Sequence, residues 1–355
     1  MPAGPAAFFS RRTGRCVLTL FRLSRSSIVV LPATGLTAEK SRRTGGRLNT
    51  PPVPGRCNLA QRLAVSKAMR YELEHHRVPT NGIHLHVVQC GPEDGPLVIL
   101  LHGFPEFWYG WRHQLQALAA AGYRVWAPDK RGYNRSDKPP RVADYRLDTL
   151  AADIVGLLDA AGREQAAVVG HDWGAAVAWH LAAYHAERLA CVAILNVPHP
   201  AVLGRALRRA PRQLLKSWYI FFFQLPWLPE QLFRRGEYRW GRGALRSTSR
   251  PGTFTGADLR RYVAAWEQPG ALTAMINWYR AAFRRPRRMH TGRVALPVRI
   301  LWGRKDAFLE PELAHLSLQM CDNARLTYLD RATHWLHQEE PGEVNRMLLE
   351  FFDEQ

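Results

Sequence analysis

The stretch VVGHDWGAAVAW, residues 168–179, decides the fold, because it reads as a β-strand that passes through one sharp turn into a helix. Within it, Gly170-His171-Asp172-Trp173-Gly174 has the G-x-nucleophile-x-G spacing of a nucleophile elbow, where small flanking residues let the backbone turn tightly and push the central side chain outward. The tip is an aspartate rather than a serine. A carboxylate that attacked a carbonyl would form a labile anhydride, whereas attack on a saturated carbon bearing a leaving group forms a stable ester. Asp172 therefore calls for an alkylating substrate. The bland alternative is a helix N-cap, worth about 1 kcal/mol, and the paired glycines weigh against it.

On either side, strand and helix patterns alternate. Leu97–Leu101 reads as a strand buried on both faces, Trp111–Ala121 as a helix and Arg124–Asp129 as a strand. Leu147–Ala161 has helical spacing, with Leu150, Ile154, Leu157 and Leu158 on one stripe; Ala166–Val169 and Leu189–Leu195 flank a helix over Ala175–Ala186. Ile83–Val88 alternates as an edge hairpin strand. This pitch predicts right-handed βαβ units in a mostly parallel sheet with helices on both faces. The alternation stops at Asn196-Val197-Pro198, and a helix-rich, aromatic and basic stretch follows to about Arg293. Strands resume at Val298–Trp302 and Arg325–Leu329, and an amphipathic helix with Val344, Met347, Leu348 and Phe351 closes the chain. The expected organisation is a basic leader over 1–68, an α/β core in two parts (69–198 and 294–355) and an inserted helical cap over 199–293.

Composition narrows the function classes. The five cysteines, Cys16, Cys57, Cys90, Cys191 and Cys321, are scattered and never paired as C-x-x-C, which suggests neither a disulfide framework nor a zinc site and fits a reducing, cytoplasmic setting. The net charge of +19 raises nucleic acid or an anionic membrane as partners. Residues 1–68 hold twelve Arg and Lys against Glu39 alone, a net of +11, which leaves +8 for the remaining 287 residues. Arginine outnumbers lysine 43 to 6, which reads as a coding bias more than a binding surface. No nucleic-acid partner and no integral membrane association is expected. The leader's apolar runs are too short to span a bilayer; its Arg- and Ser-rich composition is that of a transit peptide, and a natural start at Met69 is the simpler expectation. The cluster Arg284, Arg285, Arg287, Arg288 reads as a solvated surface.

Sites in open α/β sheets gather beyond the carboxyl ends of strands. His102-Gly103-Phe104-Pro105 follows one strand, Asp172 the next, Asp306 lies beyond 298–302 and His334 beyond 325–329. Nucleophile, acid, histidine is the chain order of an α/β-hydrolase triad. With HGFPEFWYGW (102–111), DKRGYNRSDKP (129–139), GHDWGAAVAW (170–179), YIFFFQLPW (219–227), NWYR (277–280), GRKDAFLEP (303–311) and THWLHQEEP (333–341) in order, residues 70–355 resemble the α/β-hydrolase-fold epoxide hydrolases.

The resemblance implies an α/β-hydrolase fold and conversion of an epoxide to a diol with water, with no metal or organic cofactor. It makes Asp172 the nucleophile, His334 the base, Asp306 its orienting acid, and Tyr219 and Tyr279 the cap tyrosines that hold the epoxide oxygen. Backbone N–H groups of Phe104 and Trp173 would form the oxyanion hole, and Phe104, Pro105, Trp108 and Trp173 would line the substrate pocket. Core packing is the competing reading for both tyrosines and both tryptophans. His337 is the weaker candidate for the base and reads as a supporting or surface histidine, while His102 reads as shaping the loop that presents Phe104. Asp322, Asp330, Asp148 and Asp153 are the lesser candidates for the acid. Lys130 departs from the family pattern, which more often has a small or apolar residue before Arg-Gly-Tyr.

A haloalkane dehalogenase shares the aspartate and the histidine but needs halide donors, typically an asparagine where Phe104 stands. A fluoroacetate-type dehalogenase would want arginines beside the nucleophile, which Trp173 does not supply. A catalytically idle fold serving as a binding protein is the rival from another class. Monomer and homodimer both stay open.

Overall fold

The computed structural model describes residues 70–284 and 292–355. The expectations for the leader, for a start at Met69 and for Arg285, Arg287 and Arg288 lie outside the described residues.

The chain enters through a hairpin of β1 (Glu74–Thr80) and β2 (Ile83–Cys90), closed by Asn81-Gly82 with φ of 43° and 74°. Positive φ at both central residues is the two-residue hairpin turn that Asn-Gly favours. β3 (Leu97–Leu101), α1 (Arg112–Ala120), β4 (Arg124–Pro128), α2 (Leu147–Ala160), β5 (Ala166–His171), α3 (Trp173–Tyr184) and β6 (Leu189–Leu195) continue the alternation. Six helices then follow without a strand: α4 (Pro200–Arg209), α5 (Pro211–Lys216), α6 (Trp218–Phe222), α7 (Leu228–Ser247), α8 (Gly256–Trp266) and α9 (Ala271–Arg284). β7 (Val298–Gly303), α10 (Glu312–Leu318), β8 (Ala324–Leu329), α11 (Leu336–Glu339) and α12 (Pro341–Asp353) complete the fold.

The eight strands form one sheet in the order β1-β2-β4-β3-β5-β6-β7-β8, parallel from β4 onward. Ile83–Cys90 lies one strand inside the edge that the sequence assigned to it, because β1 covers it. β1 escapes a pattern reading because its first four residues are solvent-facing and only Val78 and Thr80 are buried. Alternate residues of the central strands serve two cores. Leu97, Ile99, Leu101, Val168 and Ile194 face the side packed by Leu150, Ile154 and Leu157 of α2 and Val177 of α3. Val98, Leu100, Val169 and Leu195 face Leu115 and Leu118 of α1 and Val344 and Leu348 of α12. Burial on both faces is why these strands are continuous apolar runs rather than alternating ones. Each such leucine contributes roughly 1.5–3 kcal/mol to that packing.

Candidate active site

The turn between β5 and α3 brings Asp172 to φ 49° and ψ −122°, a conformation that L side chains rarely adopt. Two glycines make it possible. A Cβ on Gly174 would stand 2.0 Å from the carbonyl oxygen of Leu101, and one on Gly170 would stand 2.6 Å from the backbone of Ala175. The side chain is thereby delivered to the carboxyl edge of the sheet rather than onto the helix it precedes; no cap hydrogen bond is made by Asp172.

Four loops meet there. Asp172 Oδ1 accepts a 2.7 Å hydrogen bond from the Phe104 N–H of the loop after β3. His334, from the loop after β8, places Nε2 3.6 Å from Asp172 Oδ2 and bonds Asp306 Oδ2 through Nδ1 at 2.8 Å. Asp306, from the loop after β7, is fixed in turn by the N–H groups of Phe308 (2.7 Å) and Leu309 (3.0 Å) and by the Asn196 amide. The carbonyl oxygen of that same amide accepts from Gly303 N–H at 2.8 Å. The structure thus gathers Asp172, His334 and Asp306 together, the last two joined by a hydrogen bond and the first two facing each other as an ion pair. The other acids lie elsewhere: Asp322 and Asp330 pair with Arg293 and Arg304 at the surface, Asp153 is buried against Arg131, and Asp148 pairs with Arg146.

The charges of Asp172, His334 and Asp306 sustain one another. Burial alone would lower the His334 imidazolium, but Asp306 and Asp172 outweigh it and raise it to about 10. Burial would likewise raise the Asp172 carboxyl, and His334, His171 and the Phe104 N–H together hold it below its usual value. Before substrate arrives, the pair is carboxylate and imidazolium.

Tyr219 at the start of α6 and Tyr279 on α9 approach from the helical segment, their rings 6.0 Å apart. Tyr219 packs on Phe308 and Tyr279 on Phe104 and Trp173, at 5.6, 5.2 and 5.0 Å between centroids. Burial first and the Asp172 charge second push both phenols upward, so each is a proton donor at neutral pH. Asp172, His334 and both tyrosines line one cavity of about 1120 Å³, whose walls include Phe104, Pro105, Phe223, Trp240, Phe308 and Trp335.

Trp108 and Trp173 are not in that wall, contrary to the sequence expectation. Trp108 opens a 3-10 turn whose N–H donates to Asp129, and its ring packs against Phe107, Tyr109 and His75. The Trp173 ring makes edge-to-face contacts with Tyr279 and Trp278, at 5.0 and 5.7 Å between centroids. His102 does shape the loop as expected: fully buried, it bonds the Gly103 carbonyl through Nδ1 and accepts the Lys130 N–H at Nε2, and burial, reinforced by Lys130, lowers it to about 3.

Several functional supports were not anticipated. Glu106, next to the Phe104-Pro105 pair, is a fully buried carboxylate. It meets His171 Nδ1 at 2.9 Å, the Tyr262 hydroxyl at 3.2 Å, the Gln338 amide at 3.1 Å and His337 Nε2 at 3.3 Å. His171 then bonds the His334 carbonyl through Nε2 at 2.9 Å. His337 is thus a core residue and not a surface one. This network ties the Phe104 loop, the Asp172 turn and the His334 loop into one body. Burial would raise the Glu106 carboxyl, but His337 and His171 hold it well below the usual range. Glu106, His171 and His337 are also of the types that hold metal ions and cluster within 4.8 Å, but their facing atoms are already joined by the hydrogen bonds just described.

Lys130 is the second surprise. Its side chain is buried, its Nζ has no hydrogen-bond partner among the described residues, and the ammonium lies 4.2 Å from the Trp278 ring centroid. Burial lowers it to about 7 against the pull of Asp172 and Glu106.

The alpha/beta hydrolase fold family model matches residues 96–341. Among curated relatives, the chain is 49% identical over 278 residues to the AB hydrolase superfamily protein YfhM of Bacillus subtilis, covering 78% of this chain and 97% of that protein. It is 41% identical over 286 residues to Epoxide hydrolase 4 of Homo sapiens, covering 79% and 78%. Among solved structures, an epoxide hydrolase from Bacillus megaterium superposes with a TM-score of 0.71 at 30% identity, over 78% of this chain and 100% of that one. Epoxide Hydrolase A from Mycobacterium thermoresistibile gives 0.71 at 33% identity, over 79% and 98%. Chain order, sheet topology, the aspartate-tipped turn and these relatives agree: the protein belongs to the epoxide hydrolases of the α/β-hydrolase fold.

Proposed function

We propose that the protein hydrolyses an apolar epoxide to a vicinal diol through a covalent ester on Asp172. The observation that carries the reading is the juxtaposition, in one apolar-walled cavity, of the Asp172 carboxylate with two protonated phenols and a histidine–aspartate pair. An apolar wall of this kind suits an aryl- or alkyl-substituted epoxide.

In the first step the Asp172 carboxylate attacks an epoxide carbon, the carbon–oxygen bond breaks, and Tyr219 or Tyr279 protonates the departing oxygen. Ester formation removes the charge on Asp172. His334 then loses one of the two carboxylates that keep it protonated, passes its proton to the tyrosinate, and becomes a base. It takes a proton from water, and the hydroxide adds to the ester carbonyl. N–H groups of Phe104 and Trp173 hold the resulting oxyanion, and collapse releases the diol, the Asp172 carboxylate and the His334 imidazolium. Atoms balance as epoxide plus water giving diol, so no redox partner is needed.

A single turnover of styrene oxide with enzyme in excess, in water enriched in heavy oxygen, tests this. The first diol carries unlabelled oxygen drawn from Asp172; solvent oxygen in that first product overturns the scheme. His334→Gln stops after the first step, so its intact mass rises by one epoxide, and an unmodified Asp172 under those conditions has the same consequence.

A further inference from the structure

The basic character of the helical stretch stands out against the rest of the described chain. Residues 200–284 hold fifteen Arg and Lys against four Asp and Glu, whereas the other described residues, 70–198 and 292–355, hold 19 against 25. A coding bias toward arginine would act on both parts alike, so the polarity belongs to the helical segment.

That segment also carries most of the exposed large apolar side chains among the described residues. Six of them, Leu214, Leu215, Trp218, Phe221, Leu225 and Trp227, fall within fourteen consecutive residues, with Leu215 at 74%, Trp227 at 67% and Trp218 at 56% exposure. Phe221 meets the equally exposed Phe283 edge to face, at 5.5 Å between ring centroids. Exposed Arg208, Arg209 and Arg212 immediately precede the patch, and exposed Arg234, Arg235 and Arg239 follow it. Leu215, Lys216, Trp218, Leu232, Arg235 and Arg239 line the same cavity that reaches Asp172, so the patch borders its mouth.

We propose that this face is a docking surface for an anionic lipid bilayer, on which α5, α6 and the start of α7 lie with the cavity mouth toward the membrane. Tryptophan, phenylalanine and leucine ringed by arginine is the composition of a surface that beds at the boundary between headgroups and acyl chains. Each arginine near an anionic surface strengthens binding about fivefold. A second copy of this chain is the poorer occupant, because a two-fold contact would set the same strongly basic face against itself. Nucleic acid would use the arginines but leave the leucines in water. No described helix is long and apolar enough to cross a membrane, so the attachment is to one leaflet. The proposal stands independently of the reaction at Asp172.

The test is sedimentation of the full chain with vesicles of phosphatidylcholine, alone or with about a third phosphatidylglycerol, at low and high salt. Binding is expected to the anionic vesicles, to be at least tenfold weaker to the neutral ones, and to be lost at high salt. Replacing Arg208, Arg209 and Arg212 together by Gln weakens it on the order of 100-fold. The exposed pair Phe221→Ser with Trp227→Ser weakens it comparably, with circular dichroism unchanged. No binding to anionic vesicles at low salt overturns the proposal, as does equal binding to both compositions. So does wild-type binding by the two variants, which would move the attachment to another basic part of the chain. A lipid-free dimer in ultracentrifugation that these variants dissociate would assign the face to a second copy instead.

Discussion

Substituting Lys130 by Met should make the protein more stable, and by an amount that depends on pH. The ammonium is buried without a hydrogen-bond partner among the described residues, and burial lowers it to about 7, against roughly 10.4 for a lysine in the unfolded chain. At about 1.36 kcal/mol per tenfold change in proton affinity, that gap amounts to a cost on the order of 4 kcal/mol. The sign follows from proton counting. Below pH 7 the amine is protonated in both states and the cost is complete. Between 7 and about 10.4 the unfolded chain holds the proton and the folded one does not, so folded stability rises with pH and the cost fades. Methionine fills a similar volume but forfeits the cation–π contact with Trp278, worth about 0.5–2 kcal/mol. The net expectation for Lys130→Met is a gain of about 2–4 kcal/mol at pH 6, with roughly 3 kcal/mol less advantage at pH 9. Urea unfolding at the two pH values measures it; with a slope near 3 kcal/mol per molar, the midpoint moves by about 1 M at pH 6. A variant less stable than wild type at pH 6, or a difference independent of pH, refutes the reasoning.

Three further outcomes follow from the site. Asp306→Asn keeps the shape but removes the charge that sustains His334, so ester hydrolysis slows about 10²–10⁴-fold while ester formation still occurs, which rapid-quench mass spectrometry separates. Tyr219→Phe and Tyr279→Phe each slow epoxide opening by about 10²-fold and the double variant by more, read from the burst of ester formation. Glu106→Ala strands His171 and His337 in the core and lowers unfolding free energy by about 3–5 kcal/mol in urea, with activity falling alongside as the His334 loop loosens.

What the sequence determined by itself is local. Apolar runs at strand length, helical stripes and the paired glycines about Asp172 report short-range constraints, and so the α/β alternation, the aspartate-tipped turn and the order of Asp172, Asp306 and His334 were readable along the chain. What needed the tertiary structure is whatever depends on distant residues sharing a volume. Glu106 meets His171 across 65 residues and His337 across 231, and nothing in the spacing of three ordinary polar residues announces it. The Asn196 amide that steadies Asp306 is as distant, and Lys130 became an unpaired buried charge only when α9 brought Trp278 onto it. Trp108 and Trp173 fell outside the cavity while Phe308 and Trp335 entered it, because an aromatic's neighbours are set by which loops meet, not by its own type. The net charge of +19 and the basic character of the helical stretch are likewise legible along the chain, but that Trp218, Arg235 and Arg239 line the same cavity as Asp172 is a property of the fold, since only folding brings distant segments to one opening.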